Sequence, residues 1–162
     1  LPAIYLRDYT EADLPALYLL DQACFPPGIA YSQAELAGFL RHTSTFTAIA
    51  GVEGELAGRP VGFAVVRPVR RKAAFGRMIP ALHVLTIDVD PDVRRQGIGA
   101  VLMAWIAERA YALGSRRIVL EVAADNHVAQ RFYDRHGFKR TGTIPGYYNG
   151  TTDAYTLEQS CP

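Results

Sequence analysis

Asp90-Pro91-Asp92-Val93-Arg94-Arg95-Gln96-Gly97-Ile98-Gly99-Ala100 lies between two strongly patterned runs. Before it, Ala81 to Asp90 alternates as a strand does, with Leu85, Ile87 and Val89 on one face and Thr86 and Asp88 on the other. After it, Ile98, Val101, Leu102, Trp105, Ile106 and Leu113 follow the i, i+3, i+4, i+7 spacing of a helix from Gly97 to Leu113, and Gly114 is placed to end it. A strand, a glycine-bearing turn and a helix, in that order, make an anion-binding junction. Glycine lets backbone N–H groups come close to a ligand with no Cβ in the way. The unpaired N–H groups of the first helical turn and the helix dipole then favour phosphate, and Arg94 and Arg95 add positive charge at the same point.

Three phosphate-loop readings compete with an ordinary glycine turn that binds nothing. A Walker A loop needs Gly-Lys-Ser/Thr after its second glycine, where this chain has Gly99-Ala100-Val101. A dinucleotide fingerprint needs a third small residue where Leu102 stands, and an acidic residue past the next strand, whereas Glu121 falls within that strand. The third reading rests on the wider sequence.

Working outward toward the N-terminus, Ile4, Leu6 and Asp8 alternate as a first short strand. Thr10 is an N-cap for a helix that runs to about Cys24 and is stopped by Pro26-Pro27-Gly28. Ser32-Gln33-Ala34-Glu35 has capping-box spacing and opens a second helix ending near Arg41. Phe46 to Val52 and Val61 to Arg67 read as hairpin strands punctuated by Gly54 and Gly58. From Arg67 to Pro80 the chain is a basic connection, with Arg67, Arg70, Arg71, Lys72 and Arg77. A solvated loop is the simplest reading of it; ribosomal RNA or an acidic partner is the other.

Toward the C-terminus, Arg117 to Val122 is a strand. Asn126 to His136 is a helix with Val128, Ala129, Phe132 and Tyr133 on one side, ended by Gly137. Phe138 to Thr143 and Thr152 to Leu157 are closing strands. Strands alternating with helices in the second half predict an α/β or α+β fold with a mixed sheet, and no repeat or linker divides residues 1–162, so one domain is expected.

Composition sets bounds. The chain is 49% hydrophobic and 20% charged with a net charge of +1, which excludes a strongly basic nucleic-acid binder and an acidic disordered tail. No apolar run is long enough to span a membrane, and the opening Leu1-Pro2-Ala3-Ile4 lacks the basic start of a signal peptide. Cys24 and Cys161 fit no metal-ligand spacing and read as free thiols of a reducing cytoplasm, with a single disulfide as the alternative. A cytoplasmic protein with no metal is the expectation.

Arg94-x-x-Gly97-x-Gly99 resembles the R/Q-x-x-G-x-G/A acetyl-CoA motif of GNAT acetyltransferases, and Glu121 to Asn126, Phe132-Tyr133 and Gly137-Phe138 follow in that family's order and spacing. Tyr147-Tyr148, Asp153-Ala154, Phe25-Pro26 and Tyr31 extend the resemblance to the RimI-type protein N-terminal acetyltransferases, in which the connection corresponding to Arg67 to Pro80 is shorter. The resemblance implies a mixed, mostly antiparallel sheet of six or seven strands with splayed central parallel strands, flanked by about four helices. It implies acetyl-CoA as cosubstrate, gripped by Arg94, Arg95, Gln96, Gly97, Ile98, Gly99 and Ala100, by backbone N–H groups at Ile87, Asp88 and Val89, and by Asn126. It also implies a protein or peptide N-terminus as acceptor, such as a ribosomal protein. No membrane and no direct nucleic-acid binding are expected, and the chain would act as a monomer or homodimer.

Acetyl transfer to an amine must remove a proton, stabilise an oxyanion and protonate a thiolate. The resemblance puts Glu121 at the general base and His83 at a matching position on the preceding strand. An imidazole, ordinarily about 6.5, suits base chemistry near neutrality better than a carboxylate at about 4.3. Tyr133 stands at the general acid; a phenol at about 10 protonating a thiolate at about 8.5 is uphill by roughly 2 kcal/mol, so it serves mainly as a hydrogen-bond donor to sulfur. Each has a structural alternative: a core histidine, a surface carboxylate, a buried-face aromatic and, for Asn126, a plain N-cap.

Phe25, Pro26, Tyr31, Tyr147 and Tyr148 would line an aromatic mouth for a peptide N-terminus, with cross-strand packing as the alternative for the tyrosine pair. An α-amine near 7.8 gives up its proton for roughly 3.5 kcal/mol less than a lysine near 10.4, which mildly favours an α-amine acceptor. Two other functions stay open: acetylation of a small amine (a polyamine, an antibiotic or an amino acid) and a non-catalytic acetyl-CoA-binding subunit. The second has no chemical need of Glu121, His83 and Tyr133 together.

Overall fold

Alternation at Ile4, Leu6 and Asp8 becomes strand β1 (Ile4–Asp8) in a computed structural model that describes residues 2–54 and 56–162. Thr10 caps a single 3-10 turn (Glu11–Asp13) before the α-helix proper, α1 (Leu14–Cys24). The difference arises because Asp13 turns back: its carboxylate accepts from the Thr10 N–H at 2.8 Å and from Arg7 through two bonds of 2.8 and 2.7 Å. Helix α2 (Gln33–Arg41) opens on the expected box, with Ser32 accepting from the Glu35 N–H at 3.1 Å and Glu35 accepting from the Ser32 N–H at 2.9 Å.

Seven strands are hydrogen-bonded in the order β1-β2-β3-β4-β5-β7-β6, completed by β2 (Phe46–Val52), β3 (Gly62–Lys72), β4 (Met78–Val89), β5 (Arg117–Ala123), β6 (Lys139–Tyr148) and β7 (Thr152–Ser160). The β4–β5 pair is parallel, a ladder from Ala81↔Arg117 to His83↔Val119, while β1–β2, β2–β3, β5–β7 and β6–β7 are antiparallel. With α3 (Ile98–Ala112) and α4 (His127–Arg135), this is the mixed, mostly antiparallel sheet and four-helix set expected.

Residues form two compact units. Of the described residues, the first holds those up to Arg67 and Leu85–Ile106; the second holds Pro68–Val84 and Ala107–Pro162. In the first, Leu14, Leu17 and Leu20 of α1 and Leu36, Ala37 and Leu40 of α2 pack with Ile49, Phe63 and Val65 of β2 and β3. Each buried leucine, isoleucine, valine or phenylalanine among them contributes about 1.5–3 kcal/mol of transfer free energy. In the second, Ile118, Leu120 and Val122 of β5, Tyr133 of α4, Phe138, and Ala154 and Leu157 of β7 are buried. Cys24 belongs to the first unit and Cys161 to the second, and both thiols are free.

Three expectations need correction. The basic connection from Arg67 to Pro80 is mostly strand: β3 continues to Lys72 and β4 begins at Met78, leaving a tight turn whose tip, Phe75, is fully exposed at a φ of 59°. Arginine and lysine disguised the strands, because their burial alternates only weakly and Arg71 is fixed by an ion pair to Glu158 at 3.1 Å. Val128 does not share the packed side of α4; it is 63% exposed. Leu113 lies beyond α3 and is also exposed, in the turn that leads into Gly114 (φ 69°).

Candidate active site

In the first unit, β4 ends at Val89 and the chain enters the stretch that joins it to α3. Asp90 shapes this stretch. Its carboxylate accepts from the Asp92 N–H at 2.9 Å and pairs with Arg59, its own N–H donates to the Val61 carbonyl at 2.8 Å, and Pro91–Val93 forms one 3-10 turn. The Arg94 guanidinium folds back to donate from Nε to the Val89 carbonyl at 3.1 Å. Arg95 and Gly97 then take positive φ values of 63° and 89°, which only glycine reaches without strain at the second position. Arg94, Arg95, Gly97 and Ala100 are exposed, Gln96 and Gly99 half-buried, and Ile98 is buried as the first anchor of α3. The first N–H groups of α3 have no carbonyl a turn earlier to bond. An open, cationic helix start with a glycine in the left-handed region suits the phosphates of a nucleotide-bearing ligand.

Gly62 on β3 shows how tightly this junction is built. A Cβ there would stand 2.7 Å from the Asp88 carbonyl oxygen, 3.1 Å from Ile98 Cγ2 and 3.3 Å from Leu102 Cδ1. Glycine is therefore what lets the start of α3 and the end of β4 close on β3.

Also in the first unit, the segment after α1 carries three of the expected acceptor residues. Phe25 caps α1 and is half-buried, Pro26 is exposed, and Tyr31 is tied on three sides. The Tyr31 hydroxyl donates to the Leu85 carbonyl at 2.9 Å, its N–H donates to Asp21 at 2.7 Å, and its carbonyl accepts from Gln22 at 2.8 Å. Its ring meets Phe39 edge-on at 5.1 Å. Cys24 donates from Sγ to the Val89 carbonyl at 3.3 Å, and burial pushes its thiol up to about 12.

In the second unit, His83 and Glu121 meet. They lie on β4 and β5, two positions apart in the parallel register (His83↔Val119), and His83 Nε2 is 2.8 Å from Glu121 Oε2 and 3.2 Å from Oε1. Their side chains are 18% and 19% exposed, so the pair is screened from water without being sealed from it. Donation from Nε2–H to the carboxylate leaves Nδ1 as the basic nitrogen, an imidazole held in one tautomer and able to accept a proton. The Tyr148 phenol is raised well above its ordinary range by burial, and further by Tyr147 and by the charge of Glu121. Tyr147 stacks edge-on against Tyr148 at 4.9 Å and is 48% exposed. Asn149 and Gly150, at φ values of 55° and 70°, turn the chain back, closed by the Thr151 N–H on the Tyr148 carbonyl at 3.1 Å.

Tyr133 is buried on α4, edge-on to Phe132 at 5.3 Å and to Phe138 at 5.6 Å. Asn126 caps the same helix, its side-chain oxygen accepting from the Ala129 N–H at 3.1 Å, which leaves the amide NH₂ as donor. Two contacts escaped sequence reasoning. Gln130 donates to both the Ala123 and Ala124 carbonyls at 3.0 Å, fixing the end of β5 to α4, and Glu158 accepts from both Arg71 and Arg117. No spacing rule signals either, since each joins residues from separate elements. Among the described residues no group of three or more histidine, cysteine or acidic side chains could hold a metal, and no helix is long and apolar enough to cross a membrane.

An uncharacterized N-acetyltransferase of Methanocaldococcus jannaschii is 24% identical over 158 residues, covering 97% of this chain and 92% of that protein. The streptothricin acetyltransferase of Streptomyces lavendulae is 34% identical over 73% of this chain and 58% of its own length. The ribosomal protein bS18-alanine N-acetyltransferase of Escherichia coli is 32% identical over 59% of this chain and 58% of its own. The match spans 58% of each of these last two enzymes, less than two thirds of their length. Among solved structures, Ard1 from Thermoplasma volcanium matches with a TM-score of 0.83 and 26% identity over 99% of both chains. Arabidopsis thaliana NAA60 in complex with acetyl-CoA matches in fold with a TM-score of 0.83 at 21% identity over 98% of both. Residues 5–138, which run from β1 through the Arg94–Ala100 junction to the end of α4, match the acetyltransferase (GNAT) family, and the chain belongs to it.

Proposed function

We propose that this chain is an N-acetyltransferase that moves the acetyl group of acetyl-CoA directly to the α-amine of a protein or peptide N-terminus, acting as one GNAT domain over residues 1–162. The observation that carries the chemistry is the 2.8 Å contact between His83 and Glu121. When bound, acetyl-CoA supplies an activated thioester. The residues present fit such a ligand: an exposed helix start, a glycine at φ 89° and two arginines. Arg94 to Ala100 and the amide of Asn126 hold its polar part. Backbone N–H groups at Ile87, Asp88 and Val89 serve as the oxyanion donors, the kind of preorganised dipole that contributes most to lowering such barriers. His83, oriented by Glu121, accepts the amine proton through a water, and Tyr133 hydrogen-bonds the departing sulfur.

Phe25, Pro26, Tyr31, Tyr147 and Tyr148 are the residues assigned to the acceptor. Support for an N-terminal acceptor comes from the similarity to the ribosomal protein bS18-alanine N-acetyltransferase and to N-alpha-acetyltransferases. The test is acetyl-CoA-dependent thiol release against peptides of varied first residue, beside lysine-only peptides and polyamines. Turnover confined to free peptide N-termini is expected. The similarity to streptothricin acetyltransferase favours a second reading, a small amine as acceptor; turnover only with small amines would replace the first by the second.

A further inference from the structure

Asp21 on α1 and Asp88 on β4, both in the first unit, are buried to 0% and 1% exposure. Each has one oxygen with a clear donor: Asp21 Oδ2 accepts from the Tyr31 N–H at 2.7 Å, and Asp88 Oδ1 accepts from the Thr86 hydroxyl. The other two oxygens, Asp21 Oδ1 and Asp88 Oδ2, are buried and meet no donor among the described residues. Yet the two side chains are within hydrogen-bonding contact of each other. Two ionised carboxylates cannot make that contact, because each can only accept and their charges repel without water to screen them. A single proton between them turns one into a donor and satisfies both oxygens at once.

We infer that Asp21 and Asp88 share one proton, and that this proton ties the segment from Phe25 to Tyr31 to β4, making the two carboxyls positioning residues for the acceptor. The tie runs through Tyr31. Its N–H is held by Asp21, its carbonyl by the neighbouring Gln22, and its hydroxyl donates to β4 at Leu85, three residues from Asp88. Losing the proton leaves two buried charges in contact, which drives the end of α1 away from β4 and carries Tyr31 with it.

The surroundings favour keeping the proton. Asp21 faces Asp88 from β4 and the charge of Glu35 from α2. Asp88 faces Asp21 and the Cys24 thiol from α1, Thr86 from its own strand and Arg94 from the turn before α3. Burial, the largest cause, raises both carboxyls; the nearby negative charges add to it, and Arg94 alone among the charges opposes it. The sign of the linkage follows. The folded chain holds a proton that the unfolded chain has released, so this pair lowers stability as pH rises from the ordinary aspartate range through its own titration.

The consequence for the acceptor rests on the reading of Phe25, Pro26 and Tyr31 given above; the shared proton does not. The test compares wild type with Asp21→Asn and Asp21→Ala. The asparagine carbonyl accepts from Tyr31 and its amide donates to Asp88, so it keeps the tie with no proton to lose. Wild type should show the infrared carbonyl band of a protonated carboxylic acid at neutral pH, absent in Asp21→Asn. Its Tm should fall more steeply than that of Asp21→Asn between neutral and alkaline pH. Asp21→Ala should raise the peptide KM several-fold with the acetyl-CoA KM kept, and Asp21→Asn should not. No such band in wild type, or equal pH slopes in wild type and Asp21→Asn, overturns the inference. A band and unequal slopes in an enzyme that acetylates only small amines leave the shared proton standing and overturn the acceptor reading.

Discussion

At the scale of single residues, Glu121, Tyr133 and Cys24 give the sharpest expectations. Glu121→Gln keeps the size of the side chain but weakens its grip on the imidazole, and Tyr133→Phe removes one hydroxyl. Both should cut kcat by about 10²–10⁴, the usual contribution of a positioned acid or base, while acetyl-CoA affinity measured by calorimetry stays close to wild type. Unchanged kcat in both would remove these roles. Cys24 invites a different scheme, in which a thiol carries the acetyl group, but a thiol pushed up to about 12 by burial is almost wholly protonated at neutral pH. Cys24→Ala should therefore keep kcat, and the intact mass of wild type after incubation with acetyl-CoA should show no added acetyl group. At this scale the sequence was partly legible. Resemblance supplied Glu121, His83 and Tyr133 as candidates, yet nothing in their spacing said that His83 and Glu121 would touch. Asp21 and Asp88 were harder still: a lone carboxylate on a helix and another on a strand look like ordinary solvated charges until the register of α1 against β4 is known.

At the scale of elements, helices were read nearly to the residue because their ends carry caps with a chemical cause. Thr10, Ser32, Asn126, Gly114 and Gly137 all stand at helix ends. Strands of basic sequence were not, since the alternation that marks a strand needs a buried face, and β3 beyond Arg67 lacks a fully buried residue. The junction at Gly62 makes a prediction of its own. Gly62→Ala forces a Cβ to within 2.7 Å of a backbone oxygen, and the strand cannot give way cheaply, so stability should fall by about 1–3 kcal/mol in a denaturant titration. Wild-type stability would mean that β3 and β4 slide more easily than their contact suggests. The junction between β1 and α1 predicts the acid limb. Arg7 holds the Asp13 carboxyl down at about 2 through a paired hydrogen bond, helped by Thr10. A depressed carboxyl stabilises above its unfolded value near 3.9 and loses that contribution as pH falls toward 2. With Arg7 about a third exposed, the loss is on the order of 1–2 kcal/mol. Asp13→Asn should show that deficit at neutral pH and none in strong acid, by thermal melts.

For the whole molecule, the fold class followed from the order of strands and helices, and the family from a motif between a strand and a helix together with Glu121 to Asn126, Phe132-Tyr133 and Gly137-Phe138 in order after it. What the sequence withheld was the assignment of residues to two compact units, because β3, β4 and α3 each contribute residues to both. Acetyl-CoA binding to the folded chain should raise stability by about 2.7 kcal/mol at a hundredfold excess over Kd, seen as a rise in Tm that grows with ligand concentration. A Tm indifferent to acetyl-CoA would contradict the reading of Arg94 to Ala100. The two free thiols, one in each unit, have a further use. Cys24 and Cys161 are both half-buried, so a thiol reagent added to the native protein reaches each more readily when its own unit opens locally. With no other cysteine in the chain, the two labelling rates are separate clocks for the breathing of the two units, and no mutation is needed to start them.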